Sequence, residues 1–237
     1  MTDGDPAFLR RLYDAQLPFL GRVRRNPRFD PWVAVGRAEM DLDWWRLVLT
    51  AHRGGSRRWV TQFRYIVQEA PGGADDAGGW DFPDVFTDAS GRGGAACWAG
   101  RWLARAWPDW ASLDSPGSST TFIELLAVWM AVTTWAPCWS GRSVRIHVDN
   151  LGAVSAWRHR SSRAPRVMAV IRAIVLCLEQ REVQRVHLVW LSSESNVVAD
   201  GLSRMQDFDA PPRQFLVNHG LGRRYAVSEE SLAASQR

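Results

Sequence analysis

Residues Asp84–Gly100 read DVFTDASGRGGAACWAG. A short β-prone run, Val85 to Thr87, ends on a carboxylate, Asp88, and gives way at once to a glycine-rich turn. Two such runs separated by glycines predict a hairpin. An aspartate at that junction is ordinary turn chemistry, because its side chain can bond backbone amides nearby. A third run, RWLARAW from Arg101 to Trp107, follows a further glycine and extends the reading to a three-stranded antiparallel meander.

Beyond the meander the periodicity changes. Ser118–Trp139 (SSTTFIELLAVWMAVTTWAPCW) is apolar on every side and begins with Ser and Thr suited to capping, which predicts a buried helix. Ser143–Asn150 (SVRIHVDN) alternates Val144, Ile146 and Val148 with Arg145 and His147, the pattern of a strand. Leu151–His159 and Arg166–Gln180 predict helices, and Arg185–Ser192 (RVHLVWLS) another strand. Ser195–Arg204 (SNVVADGLSR) predicts a last helix capped by Ser195 or Asn196. The order β-β-β-α-β-α-α-β-α predicts an α/β domain: a mixed five-stranded sheet, three antiparallel strands and then parallel ones, flanked by helices.

On either side the chain reads differently. Residues 1–70 show helical patterning, in Phe8, Leu9, Leu12, Leu17 and Leu20 and again in Met40, Leu42, Trp44, Trp45, Leu47 and Val48. Gln68–Pro83 is dense in Gly, Pro and Asp, so 71–81 is expected to be a linker and the domain to occupy 82–205. Residues 206–237 hold little that could build a core, and predict a helix near Arg213–His219 within a loosely ordered tail.

The 237 residues are 46% hydrophobic and 23% charged, a globular composition, and no run approaches the ~18 apolar residues of a membrane span. The acidic amino-terminal residues lack the apolar stretch of a secretory signal, so an intracellular protein without a membrane role is expected. Cys97, Cys138 and Cys177 stand singly in apolar surroundings and read as core residues rather than zinc ligands. Twenty-nine cations against 25 acids give a net charge of +4, and every cation is arginine. Arginine suits phosphate contacts, but high-GC coding would produce the same bias. Arg158, Arg160, Arg163 and Arg166 form a cluster that reads equally as a phosphate contact or a solvated face.

Four carboxylates each have a local explanation but are informative in combination, since they fall in the order strand, helix, strand end, last helix. Glu124 is the only charged residue from Phe122 to Trp135, and its helical neighbours Ala127, Val128 and Ala131 provide no cation. Proximity to the helix start is the competing reason for it. Asp88 and Asp149 each end a strand, where a cap would also serve, and Asp200 has Arg204 at i+4 as a surface partner. Carboxylates that met at one point would repel unless a cation lay between them, and Mg²⁺ is the hard divalent ion that takes such ligands.

The blocks FTDASGRGGAA, TFIELLAVWMAV, VRIHVDNLGAVSAW and LVWLSSESNVVADGLSR resemble, in order and rough spacing, the four catalytic blocks of type 1 ribonuclease H. The wording is most similar to the ribonuclease H domain of a retrotransposon reverse transcriptase of the DIRS type. The resemblance covers about residues 82–205, and DLDWWRLVL within 1–70 resembles the connection region of such enzymes. It implies a ribonuclease H-like fold and hydrolysis of the RNA strand of RNA·DNA hybrids. It also implies two Mg²⁺ ions, replaceable by Mn²⁺, held by Asp88, Glu124, Asp149 and Asp200. Contacts to the hybrid would come from Ser90, Gly91, Arg92, Thr120, Thr121, Asn150, Arg158 and Asn196, with helix capping the equal alternative for the threonines. The expected partners are the hybrid and a polymerase domain or subunit, and the expected state is a monomer.

Two departures from the family stand out. Many type 1 ribonucleases H carry a mobile histidine in the loop before the last helix, where this chain reads WLSSESN, and His187 lies inside the preceding strand. The interval between Trp157 and Arg185 has room for one helix but not for the separate basic substrate-gripping helix of some relatives. A nucleic-acid-binding or scaffolding module on the same fold, catalytically weak or inactive, and a related nuclease acting on DNA are therefore the competing readings.

Overall fold

The hairpin marked by the glycines is the centre of the sheet. The computed structural model describes residues 84–236, and the helical patterning of 1–70, the 71–81 linker and residues 82–83 lie outside them. Strands β1 (Val85–Ala89), β2 (Gly93–Trp98) and β3 (Arg101–Ala106) form the antiparallel meander, Asp88 standing opposite Ala95. Helix α1 (Thr120–Trp135) leads to β4 (Ser143–Val148), which pairs parallel to β1. Helices α2 (Leu151–His159) and α3 (Pro165–Gln180) return the chain to β5 (Arg185–Trp190), parallel to β4, and α4 (Val197–Ser203) follows. From Val85 to Ser203 the predicted element order is the observed one, and the interval before β5 holds the single long helix α3.

Both faces of the meander are covered, which is why all six residues of β2 are buried. On one face, the Trp98 ring lies 5.7 Å from that of Trp135 on α1. On the other, Ala95 and Cys97 cluster with Trp102, Ala104 and, from α4, Leu202. Helix α1 is apolar all round because twelve of its 16 residues are buried. The expectation that no run reaches membrane-spanning length needs correcting: Thr120–Cys138 is long and apolar enough by composition. Most of it is buried inside the domain, as in a core helix. Of the cysteines, Cys97 is buried and Cys177 partly so, whereas Cys138 is exposed instead of in the core.

Among the described residues the sheet has six strands rather than five, in the order β5-β4-β1-β2-β3-β6. The sixth, β6 (Arg223–Arg224), is parallel to β3 and comes from the tail. Helix α5 (Arg213–Asn218) forms as expected, but the rest is not loose. Phe208, Phe215, Leu216 and Leu221 pack on the Leu202 cluster. A final helix, α6 (Glu229–Ala233), lies along α1, where the indole N–H of Trp129 donates to the carbonyl of Ser231 at 2.9 Å. The tail's apolar residues are scattered, so no periodicity betrays them; each fills a gap that exists only once the sheet has formed.

Leu232 in α6 is fully buried. Truncating it to alanine is expected to lower stability by about 2–4 kcal/mol in urea unfolding. A loosely attached tail would give no change.

Candidate metal centre

Parallel pairing of β1 with β4 sets their carboxyl-terminal ends side by side, and Asp88 and Asp149 stand there. Helix α1 begins at Thr120, with the hydroxyl of Ser119 accepting from the Phe122 amide at 3.2 Å, and brings Glu124 in from the second layer. Ligand oxygens of Asp88, Glu124 and Asp149 lie within 4.8 Å of one another, a group that could hold a metal ion. Asp88 is 1% exposed and Glu124 5%. Oε2 of Glu124 has no hydrogen-bond partner among the described residues. A buried carboxylate oxygen without a donor fits a site completed by a cation, and an all-carboxylate donor set suits a hard divalent ion.

The electrostatics follow from this crowding. Burial, then the charges of Asp88 and Asp149 and a hydrogen bond with Asp149, push the Glu124 pKa up to about 10, against the amide of Ala89. Burial is also the main cause raising Asp88 to about 6, with Asp149 and Asp200 adding to it and Ser203 and Arg204 opposing it.

Asp200 stands apart from the three. It sits in the first turn of α4, and its Oδ1 accepts from Nε of Arg204 at 2.6 Å, the surface pair its spacing allowed. Its charge still reaches Asp88.

Several side chains hold the carboxylates in place. Ser193 donates to Oδ2 of Asp149 at 2.7 Å, and the half-exposed Trp190 donates its indole N–H to the Asp149 carbonyl at 3.0 Å. Ser203 donates to Oδ2 of Asp88 at 2.5 Å. None of these three was singled out in the sequence; serines in a polar loop or a short helix carry no periodic signal, and only the fold reveals what they face.

The residues expected to touch nucleic acid are placed variously. Gly91 and Arg92 are exposed at the hairpin tip. The Ser90 hydroxyl donates to the Ser203 carbonyl at 2.6 Å and accepts from the Arg92 and Gly93 amides, so these turn groups already have partners. Gly93 and Gly94 are required by packing: a Cβ would meet the Arg105 carbonyl and the Trp107 ring, each at 2.3 Å. Thr120 is exposed at the start of α1, and Thr121 donates to Oδ1 of Asn150 at 3.3 Å. Asn150 caps α2 through the Ala153 amide, and Gly152 permits the approach, since a Cβ there would lie 2.5 Å from the Thr121 hydroxyl. Asn196 precedes α4 but makes no side-chain cap; it is buried and donates to the Thr87 carbonyl at 2.9 Å.

The arginine cluster divides. Arg158 is exposed in the last turn of α2, and Arg163 is exposed beyond it. Arg160 is buried over the Trp157 ring and bonds the Trp157 carbonyl. Arg166 bonds Ser115 and the carbonyls of Pro116 and Trp110, with its guanidinium 4.1 Å from the Phe122 ring centre. Arg160 and Arg166 therefore serve the fold.

No protein-family model matches this sequence, and no curated protein matches it significantly.

The raised carboxyl pKa values set a pH dependence. In the metal-free protein, folded Glu124 keeps a proton that the unfolded chain releases near 4.5. The stability associated with that proton is complete below 4.5 and is lost as pH rises towards about 10, with Asp88 contributing between 3.8 and about 6. Glu124→Gln is expected to flatten this decline, melting higher than the wild type above about pH 7 in the presence of a chelator. An unchanged melting profile would show that Glu124 ionises normally.

Proposed function

We propose that residues 82–205 form a ribonuclease H-like domain that hydrolyses the RNA strand of RNA·DNA hybrids, as the ribonuclease H part of a reverse transcriptase. The observation that carries this reading is the convergence of Asp88, Glu124 and Asp149 from three separate elements, with one buried oxygen of Glu124 lacking a donor among the described residues. The mixed sheet with helices on both faces is compatible with that fold, and the four sequence blocks supply its carboxylates in the family's order.

Asp88, Glu124 and Asp149 would hold two Mg²⁺ ions, or Mn²⁺ in their place, with Asp200 completing the set by giving up part of its bond to Arg204. When bound, such ions activate a water and stabilise the leaving 3′ oxygen of an in-line phosphodiester displacement. The protein's own contribution is to hold the carboxylates in register before substrate arrives. Burial of Asp88 and Glu124 keeps bulk water away from them. Thr120, Asn150 and the exposed hairpin tip lie on elements that border the group, where a hybrid would present its 2′-hydroxyls across a wide minor groove. A polymerase domain or subunit would supply the hybrid.

The test is cleavage of a hybrid with a labelled RNA strand, beside duplex DNA and single-stranded DNA. Mg²⁺-dependent cutting of the RNA is expected, and Asp88→Asn or Asp149→Asn should reduce it at least about a hundredfold. Undiminished cutting by either variant would overturn the assignment. Hybrid bound but uncut at saturating Mg²⁺ would support the binding-module reading, and cutting confined to DNA would point to a related nuclease.

A further inference from the structure

Asp88 belongs to the carboxylate group, yet one of its oxygens is already spoken for. Oδ2 accepts from the Ser203 hydroxyl at 2.5 Å. Ser203 is 0% exposed and Asp88 1%, so no solvent competes for that bond. A hydroxyl has one proton to give. The alternative acceptor for this one is the Asp200 carbonyl, at 3.0 Å, the usual back-bond of a helical serine. The ionised carboxylate is both closer and the stronger acceptor, so the proton goes to Asp88.

Ser203 is itself fixed from two sides. Its place at the end of α4 is set by the buried Leu202 beside it, and its carbonyl accepts from the Ser90 hydroxyl at 2.6 Å. Ser90 lies two residues beyond Asp88, so strand, turn and helix close into a small ring of hydrogen bonds around the carboxylate. A carboxylate at the end of a strand would otherwise be free to turn about its terminal torsion, which is broad for aspartate.

We infer that Ser203 is a positioning residue: its hydroxyl fixes the rotation of the Asp88 carboxylate and so presets the metal centre. The inference rests on reading Asp88, Glu124 and Asp149 as metal ligands, and does not depend on the nucleic-acid substrate. Groups that orient metal ligands from behind typically change metal affinity by about 10–100-fold when removed.

The experiment is Mn²⁺ titration by calorimetry on the full chain without nucleic acid, for the wild type, Ser203→Ala and Ser203→Thr, with metal-free melting curves as a fold control. Ser203→Ala is expected to melt as a folded protein and to bind Mn²⁺ about tenfold more weakly, whereas Ser203→Thr, which keeps the hydroxyl, should stay much closer to the wild type. Alanine and wild-type proteins of equal affinity, or a tighter alanine variant, would overturn the inference and leave the metal centre standing. An alanine variant that does not fold would also overturn it, by making the hydroxyl a requirement of the fold. A wild type that takes up no Mn²⁺ would remove the metal reading and this inference together.

Discussion

The structure depends on the treatment of a buried negative charge. Glu124 sits on the most apolar helix of the domain, 5% exposed, within reach of two further carboxylates. An ionised group there would normally be excluded by its desolvation penalty. Burial and the two neighbouring carboxylates raise its pKa, so without a metal the protonated form is favoured over the charged one. A cation is the other species that relieves the same repulsion, so protonation and metal uptake are alternative responses to one constraint.

Around that charge the chain builds rigidity from polar ties rather than from apolar contact alone. Asn196 reaches from the start of α4 to the Thr87 carbonyl, Ser203 from its end to Asp88, and Ser90 back to Ser203. Together with Leu202 in the apolar cluster, they hold α4 against β1. On the opposite side, the Thr121–Asn150 contact joins the starts of α1 and α2. The carboxylates are thus held by elements from both faces of the sheet.

What was legible in the sequence was what repeats. Alternation marked β4, uniform apolarity marked α1, and the solitary charge at Glu124 was visible because everything around it is apolar. Asp88 and Asp149 could be read as partners only in combination, since each also fits a local cap. Arg160 and Arg166 looked like a basic surface because sequence spacing cannot reveal that one stacks on Trp157 and the other on Phe122. Gly93 and Gly94 read as part of a glycine-rich turn, yet the neighbours that demand them are Arg105 on β3 and Trp107 just beyond it. Strand β6 was invisible for a related reason: two arginines have no strand pattern of their own, and their pairing is dictated by β3.

That two-residue strand has a bearing on solubility. The Arg101–Trp102 end of β3 would otherwise be an open sheet edge, a template for pairing with another chain. Instead Arg223 and Arg224 lie beside it, the Tyr225 amide takes the Trp102 carbonyl at 2.8 Å, and Nη1 of Arg105 takes the Val227 carbonyl at 2.6 Å. Two charged residues end the ladder before it can be extended. The tail therefore guards the sheet against edge-to-edge aggregation, and a chain cut after α4 would be left with β3 as an adhesive border.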